Sequence, residues 1–274
     1  MDGGFLAGLS GHFAFERALM LDLPYEYLPR AQRGLGPGAE KRTVMFHPVP
    51  VSRIIEFQSA VSVLLVRQER ARDKKLAKLP LLWFLCGAAG PGAEGFAPLL
   101  YALLELVCRT ADIDARVSRK ENGDMRRCNL YIDGTELNGN DFLEIRQIVL
   151  EQAGIDWDDS FVNEDAERGV SEGRAEEQRK AGYVPPSPEE LIDIVSMYLH
   201  MGPGEVAERF TLRRFNNMIR HMSRFEDYKL LQGAALGGWV KFKDPVRHWV
   251  SGLDKKDMFA DANRDYRNSD LFNI

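Results

Sequence analysis

The sequence predicts a mainly α protein with a small β component (α+β), built as two lobes joined by an acidic linker. Three observations lead there. Apolar residues recur at helical spacing between recognisable caps, two short β-rich runs are bounded by turn residues, and one internal stretch is dense in acids with almost no apolar periodicity. The expected lobes are residues 1–155 and 187–274, with the linker at 156–186.

Thr43–His47 (TVMFH) is the first β-rich run, bounded by the Gly34–Gly38 cluster before it and His47-Pro48-Val49-Pro50 after it. Ser52 opens a helix whose buried stripe is Ile54, Phe57, Val61, Leu64 and Leu65. The basic run from Arg67 to Lys78 continues it as a solvated extension. Residues 79–108 are long and apolar, but Gly90-Pro91-Gly92-Ala93-Glu94-Gly95 divides them. Neither half reaches the roughly 20 apolar residues a membrane span needs, so two buried helices around a Gly-Pro turn are expected. Arg127–Ile132, then Asp133-Gly134, then Thr135–Leu137 reads as a hairpin, because Asp-Gly supplies the positive φ angles of a tight turn. Asp141 with Glu144 three residues on resembles a capping box for the helix FLEIRQIVLEQA, which Gly154 ends.

From Asp156 to Glu177 the chain holds nine acids against Arg168 and Arg174, a local charge of −7. Such a composition predicts a mobile, solvated connector, closed by the stiff step Pro185-Pro186. Beyond it Ser187, Pro188 and Glu190 form a helix start, with Leu191, Ile194, Val195 and Tyr198 as the expected buried face. Gly202-Pro203-Gly204 reads as a stop, followed by a short helix over 205–210 and a Thr211-capped helix over 212–225. In the last helix Leu212, Phe215, Ile219 and Met222 are expected inside and Arg213, Arg214, Arg220 and Arg224 outside.

The chemistry-bearing residues form no catalytic pattern. The five histidines (12, 47, 200, 221 and 248) are scattered, and Cys86, Cys108 and Cys128 are neither a disulfide framework nor a zinc knuckle. Cys86 and Cys108 lie in apolar runs and read as buried free thiols, suited to a reducing cytoplasm. The acids of 156–167 lack the central Gly of a calcium loop and read as linker. Both Gly-Pro-Gly clusters lack the strand, helix and Lys of a phosphate loop. The expectation is therefore no catalytic residue, no metal and no cofactor. Met1-Asp2-Gly3-Gly4 lacks a basic region, and His12, Glu16 and Arg17 interrupt the apolar run, so no secretory signal is expected. A net charge of −5 gives no global argument for nucleic acid.

The recognition candidates lie late in the chain. Arg213, Arg214, Arg220 and Arg224 share one helix, and Trp239, Phe242 and Trp249 follow, interleaved with Lys241, Lys243, Arg247 and His248. Arginine and aromatic residues anchor protein interfaces. The tryptophans could equally plug the core of the second lobe. The two short helices about Thr211 loosely suggest a helix-turn-helix, but their turn has no Gly and Phe215 takes an early position in the second helix.

The helix FLEIRQIVLEQAGIDWDD, the acidic spacer, and the run from Ser187 to Trp249 together resemble the tail-morphogenesis proteins of long-tailed bacteriophages, in particular the tail assembly chaperones. A β-run entering a helix through His47, Pro48, Pro50, Ser52 and Arg53 is similar too. The resemblance covers about residues 43–65 and 140–250 and is one of layout; the apolar pair at 79–108 has no counterpart in it. It implies a non-enzymatic protein of the host cytoplasm that coats the helical tape measure protein during tail assembly, with self-association compatible and membrane or nucleic-acid binding not implied. A structural virion subunit and a DNA-binding regulator are the alternatives.

Overall fold

The computed structural model describes residues 13–36, 38–67, 74–88, 96–119, 125–155, 184–237 and 248–249, with isolated positions between 172 and 182. Helix α1 covers residues 13–21. Strand β1 (Tyr25–Tyr27), helix α2 (Arg30–Arg33), strand β2 (Val44–Phe46) and helix α3 (Ile54–Val61) follow. Next come α4 (Lys74–Ala77), α5 (Leu81–Trp83), α6 (Phe96–Cys108), β3 (Ile113–Arg119), β4 (Met125–Ile132), β5 (Thr135–Leu137) and α7 (Gly139–Gln152). The last described helices are α8 (Pro188–Leu199), α9 (Pro203–Arg209) and α10 (Leu212–Leu236). Helices and two small antiparallel sheets make this mainly α with a β component, the class the sequence predicts. None of the described helices is long and apolar enough to cross a membrane.

By contact density the chain divides into Met1–Ile219 and Arg220–Ile274. The linker expected at 156–186 lies mostly outside the described residues. Charge density marks where a chain is poorly able to form a core. It does not reveal whether the segments on either side dock together.

In the first unit, β3-β4-β5 is a meander whose inner face buries Cys128, Leu130, Ile132 and Leu137 beneath α5. The turn after β4 has Asp133 at φ 48° and Gly134 at φ 70°, the two positive angles expected of Asp-Gly. Strand β3 was not anticipated, although Ile113, Ala115 and Val117 alternate with the more exposed Asp114, Arg116 and Ser118. The smaller ribbon pairs β1 with β2, Tyr25 opposite Phe46 and Tyr27 opposite Val44, and turns Tyr27, Val44 and Phe46 inward. Leu100, Leu103, Leu104 and Val107 of α6 pack against α3, and the backbone N–H of His47 donates to the carbonyl of Val107 at 2.7 Å. Each such buried Leu, Val or Phe contributes about 1.5–3 kcal/mol relative to exposure.

Three local expectations shift. The cap of α7 is Asn138, whose side chain accepts from the N–H groups of Asn140 and Asp141, while Asp141 completes the capping box as its third residue. Asp141 thus sits one turn inside the helix, and Glu144 is free for another role. Leu65 is 38% exposed, because the helix tightens to a 3₁₀ turn over Ser62–Leu65 and the stripe rotates. The first apolar half of 79–108 is a short helix, α5, that breaks at Cys86 and Gly87 rather than running on. The Gly-Pro link at 89–95 lies outside the described residues.

Candidate partner-binding surface

Helix α8 begins as the sequence predicts. Ser187 accepts from the N–H of Glu190, the Glu190 carboxylate accepts from the N–H of Ser187, and Pro188 fills the first turn. The Ser187 N–H bond to its carboxylate, with the Ser187 hydroxyl, holds Glu190 below the usual carboxylate range. The helix stops at His200, which takes the left-handed conformation (φ 55°). Gly202 then caps α9, with Pro203 in its first turn, so Gly-Pro-Gly starts a helix as well as separating two.

The face α8 buries matches the expected one only in part: Val195 is buried as expected and Leu191 half-buried, whereas Ile194 and Tyr198 are not. Val195 and Ser196 are buried, and the Ser196 hydroxyl donates to the Ile192 carbonyl at 2.7 Å. Ile194, Met197 and Tyr198 are 48%, 76% and 44% exposed. Helix α9 packs against α8 and is itself short, so it covers one narrow stripe of an apolar surface that is wider. Residues 194, 197 and 198 stand at the three- and four-residue spacings of a single ridge.

Helix α10 is set against the first lobe by backbone bonds. Val51 N–H donates to Phe210 O at 2.9 Å, Leu212 N–H donates to Val49 O at 2.8 Å, and Pro50 faces Thr211 in an antiparallel bridge. Thr211 caps the helix by accepting from the N–H of Arg214, and Leu212 and Phe215 are buried. The expected exposed arginines therefore split. Arg213 donates from Nη1 to the Glu151 carbonyl at 2.6 Å, and Asn216 Nδ2 to the Ala153 carbonyl at 2.9 Å, so both serve the open C-terminal end of α7. Gly154, at φ 70°, allows the approach: a Cβ there would stand 3.3 Å from the Arg213 Cα. Arg214 pairs with Asp22 at 3.0 Å and donates to the Met20 carbonyl at 3.2 Å.

Arg220 and Arg224 belong to the second unit, Arg220 exposed and Arg224 half-buried. In that unit the Trp249 ring meets Phe225 edge-on at 5.1 Å, and His248 lies 5.1 Å from the Tyr228 ring. Trp249 is thus in ring contact with α10. Trp239 and Phe242 lie outside the described residues. Helix α10 runs to Leu236 instead of ending at 225, carried through Gly233 by the helix formers around it.

Two polar clusters of the first unit have no precedent in the sequence reading. Tyr27, Asp141, Glu144, Arg30 and Arg33 converge where β1 and α2 meet α7. The Tyr27 hydroxyl lies 2.9 Å from Asp141 and 2.8 Å from Glu144, Arg30 N–H donates to Asp141, and Arg30 and Arg33 pair with Glu144. Burial, with the two carboxylates, pushes the Tyr27 hydroxyl far up, so it stays a proton donor. Burial would raise Glu144, but bonds from Arg33, Tyr27 and Arg30 outweigh it and hold its carboxyl below the usual range. The cluster clamps β1 and α2 to α7, and its partners are more than 100 residues apart in sequence, which no local pattern signals. The second cluster lies across β3, β4 and β5, where Arg116 stacks 4.3 Å over Tyr131 while pairing with Asp114, and Arg127 pairs with Glu136. Period-2 alternation would have revealed it. Among the described residues no three His, Cys, Asp or Glu side chains gather as a metal site.

No family model matches the chain, and neither a curated protein nor a solved structure matches it significantly.

Proposed function

We propose that the protein is a non-enzymatic tail assembly chaperone of the long-tailed bacteriophage type, and that it captures a long helical tape measure protein through α8. The observation that carries this reading is the exposed ridge of Ile194, Met197 and Tyr198. It lies within the segment that resembles that family, and its spacing suits the apolar face of another helix. Met is a fitting residue there, since its flexible thioether adapts to varied partners. Arg213 and Arg214, first expected to meet the partner, are committed to the chain's own α7 and Asp22. That commitment also removes two cations a DNA-reading helix would need. Arg220, Arg224 and Trp249 remain secondary candidates, and a cytoplasmic setting is part of the proposal.

The test is co-expression with a tape measure protein of a long-tailed bacteriophage, followed by pull-down. Ile194→Asp with Met197→Asp should leave the fold intact, since exposed substitutions typically cost within about 0.5 kcal/mol. Partner recovery should fall tenfold or more, because a carboxylate buried at an apolar contact costs several kcal/mol. Undiminished recovery would remove α8 from the interface. Persistence of the protein in purified tails would favour a structural virion subunit.

A further inference from the structure

Helix α8 carries charge as well as apolar surface, and the two lie along one line. Glu190, Asp193, Ile194 and Met197 stand at i, i+3, i+4 and i+7, the spacing of a single helical face, and all four are exposed. Acids occupy the N-terminal half of that face and apolar side chains the C-terminal half, while Val195 and Ser196 turn inward. Glu189, one turn before Asp193, adds an exposed carboxylate at the same end. Capping accounts for Glu190, whose carboxylate accepts from the N–H of Ser187, and Glu189 suits the positive end of the helix dipole. Neither reason covers Asp193. It is the sixth residue of the helix, beyond the turn where the dipole favours an acid, and aspartate is a poor helix former. The charge is not neutralised locally either. Between Lys180 and Arg209 the chain has no Lys or Arg, but it has Glu189, Glu190, Asp193, Glu205 and Glu208. Arg209 pairs with Glu205 at 2.9 Å, and among the described residues neither Glu189 nor Asp193 enters an ion pair.

We propose that this face of α8 takes a cationic amphipathic helix. The apolar residues of the partner segment cover Ile194 and Met197, and its Lys or Arg side chains, about one turn along, meet Asp193 and Glu189. This rests on the reading of α8 as the capture surface and names the chemistry of the segment captured. An apolar ridge alone accepts any apolar helix face, because the hydrophobic effect has no direction. The carboxylates supply the selection: a segment with acids at that end brings like charges together, a cost that falls on the wrong partner alone. Lys and Arg also extend the apolar contact, since their aliphatic stems lie along Ile194 while the cation reaches the carboxylate. The charges are exposed, so the selection weakens as salt rises, whereas the apolar contact persists.

The experiment measures, by fluorescence anisotropy, the binding of three labelled synthetic helices to the full chain. The peptides share one apolar face, and their flanking positions are all Lys, all Gln or all Glu. The Lys peptide should bind about tenfold tighter than the Glu peptide, with Gln between, and should lose that advantage at about 1 M salt. Asp193→Lys should narrow the gap between the Lys and Glu peptides, and Ile194→Ala with Met197→Ala should weaken all three. Equal binding of the three peptides, weakened in the double alanine variant, would overturn the charge selection and leave α8 as the capture surface. Binding of none would remove both. Lys-peptide binding that the double alanine variant leaves unchanged would assign the attraction to the acids of 156–177 and overturn the proposal. A dimer of the chain alone that the same variant dissociates in gel filtration would give the face to a second copy instead. The ranking of the three peptides on the wild-type chain stands even if a variant fails to fold.

Discussion

Arg213 shows how the role of one residue depends on what it faces. A basic residue at the start of a helix looks electrostatically misplaced, since the N-terminal end of the helix already carries partial positive charge. Here its guanidinium reaches the carbonyl of Glu151, at the C-terminal end of α7, where cations are favoured. Arg213→Glu would remove that donor and set a carboxylate against carbonyl oxygens, so stability should fall by about 2 kcal/mol or more, read as a lower urea midpoint. An unchanged midpoint would return Arg213 to the exposed surface. Glu144 supplies a pH dependence. Its folded-state value is depressed, so the ionised clamp stabilises the protein above the unfolded glutamate range, and this contribution is lost as pH falls through the lower folded value. Glu144→Gln should flatten the acid limb of a stability profile as pH falls below the unfolded glutamate range. Parallel profiles for the two proteins would show that the clamp is electrostatically idle.

Two glycines at the element scale should respond to alanine in opposite directions. Gly233 lies inside α10, and a Cβ there meets nothing within 4 Å. Gly233→Ala should raise helicity by circular dichroism and stabilise the helix by about 0.5–1 kcal/mol. Gly154 ends α7 at φ 70° with the Arg213 backbone close by, so Gly154→Ala adds both backbone strain and a clash. That variant should melt lower, and equal melting of Gly154→Ala and wild type would mean that α10 can shift off α7 without cost. Helix α8 teaches a related lesson. Its start was legible because a capping box is a local device, but its buried face was legible only in part. The period marks an apolar surface, and only the neighbour, here the seven-residue α9, sets how much of that surface is covered.

For the whole molecule, the acidic stretch 156–186 separates in sequence what the fold joins in space. Val206, Leu212 and Phe215 are buried, and backbone bonds tie Phe210 and Leu212 to Val51 and Val49. A single protease cut within 156–186 should therefore yield two fragments that migrate separately in denaturing gels yet co-elute in gel filtration. Separation of native fragments would mean that the two expected lobes are independent, and first cleavage inside 50–110 would contradict the acidic stretch as the sensitive region.

The sequence by itself determined the elements whose signals are local. The Asp133-Gly134 hairpin, the Ser187 capping box, the Gly154 terminus and the Thr211 cap each depend on side chains within a few residues of one another, and the helical periods of α3, α6 and α7 place them in a mainly α class. Tertiary structure alone decided which of these residues the fold took up. It took Arg213 and Arg214 into the fold, left Ile194 and Met197 exposed, and gathered Tyr27 and Glu144 into one clamp. The reason is one of range. Caps and turns are satisfied within a few residues, whereas burial and ion pairing depend on partners that only the closed chain brings within reach.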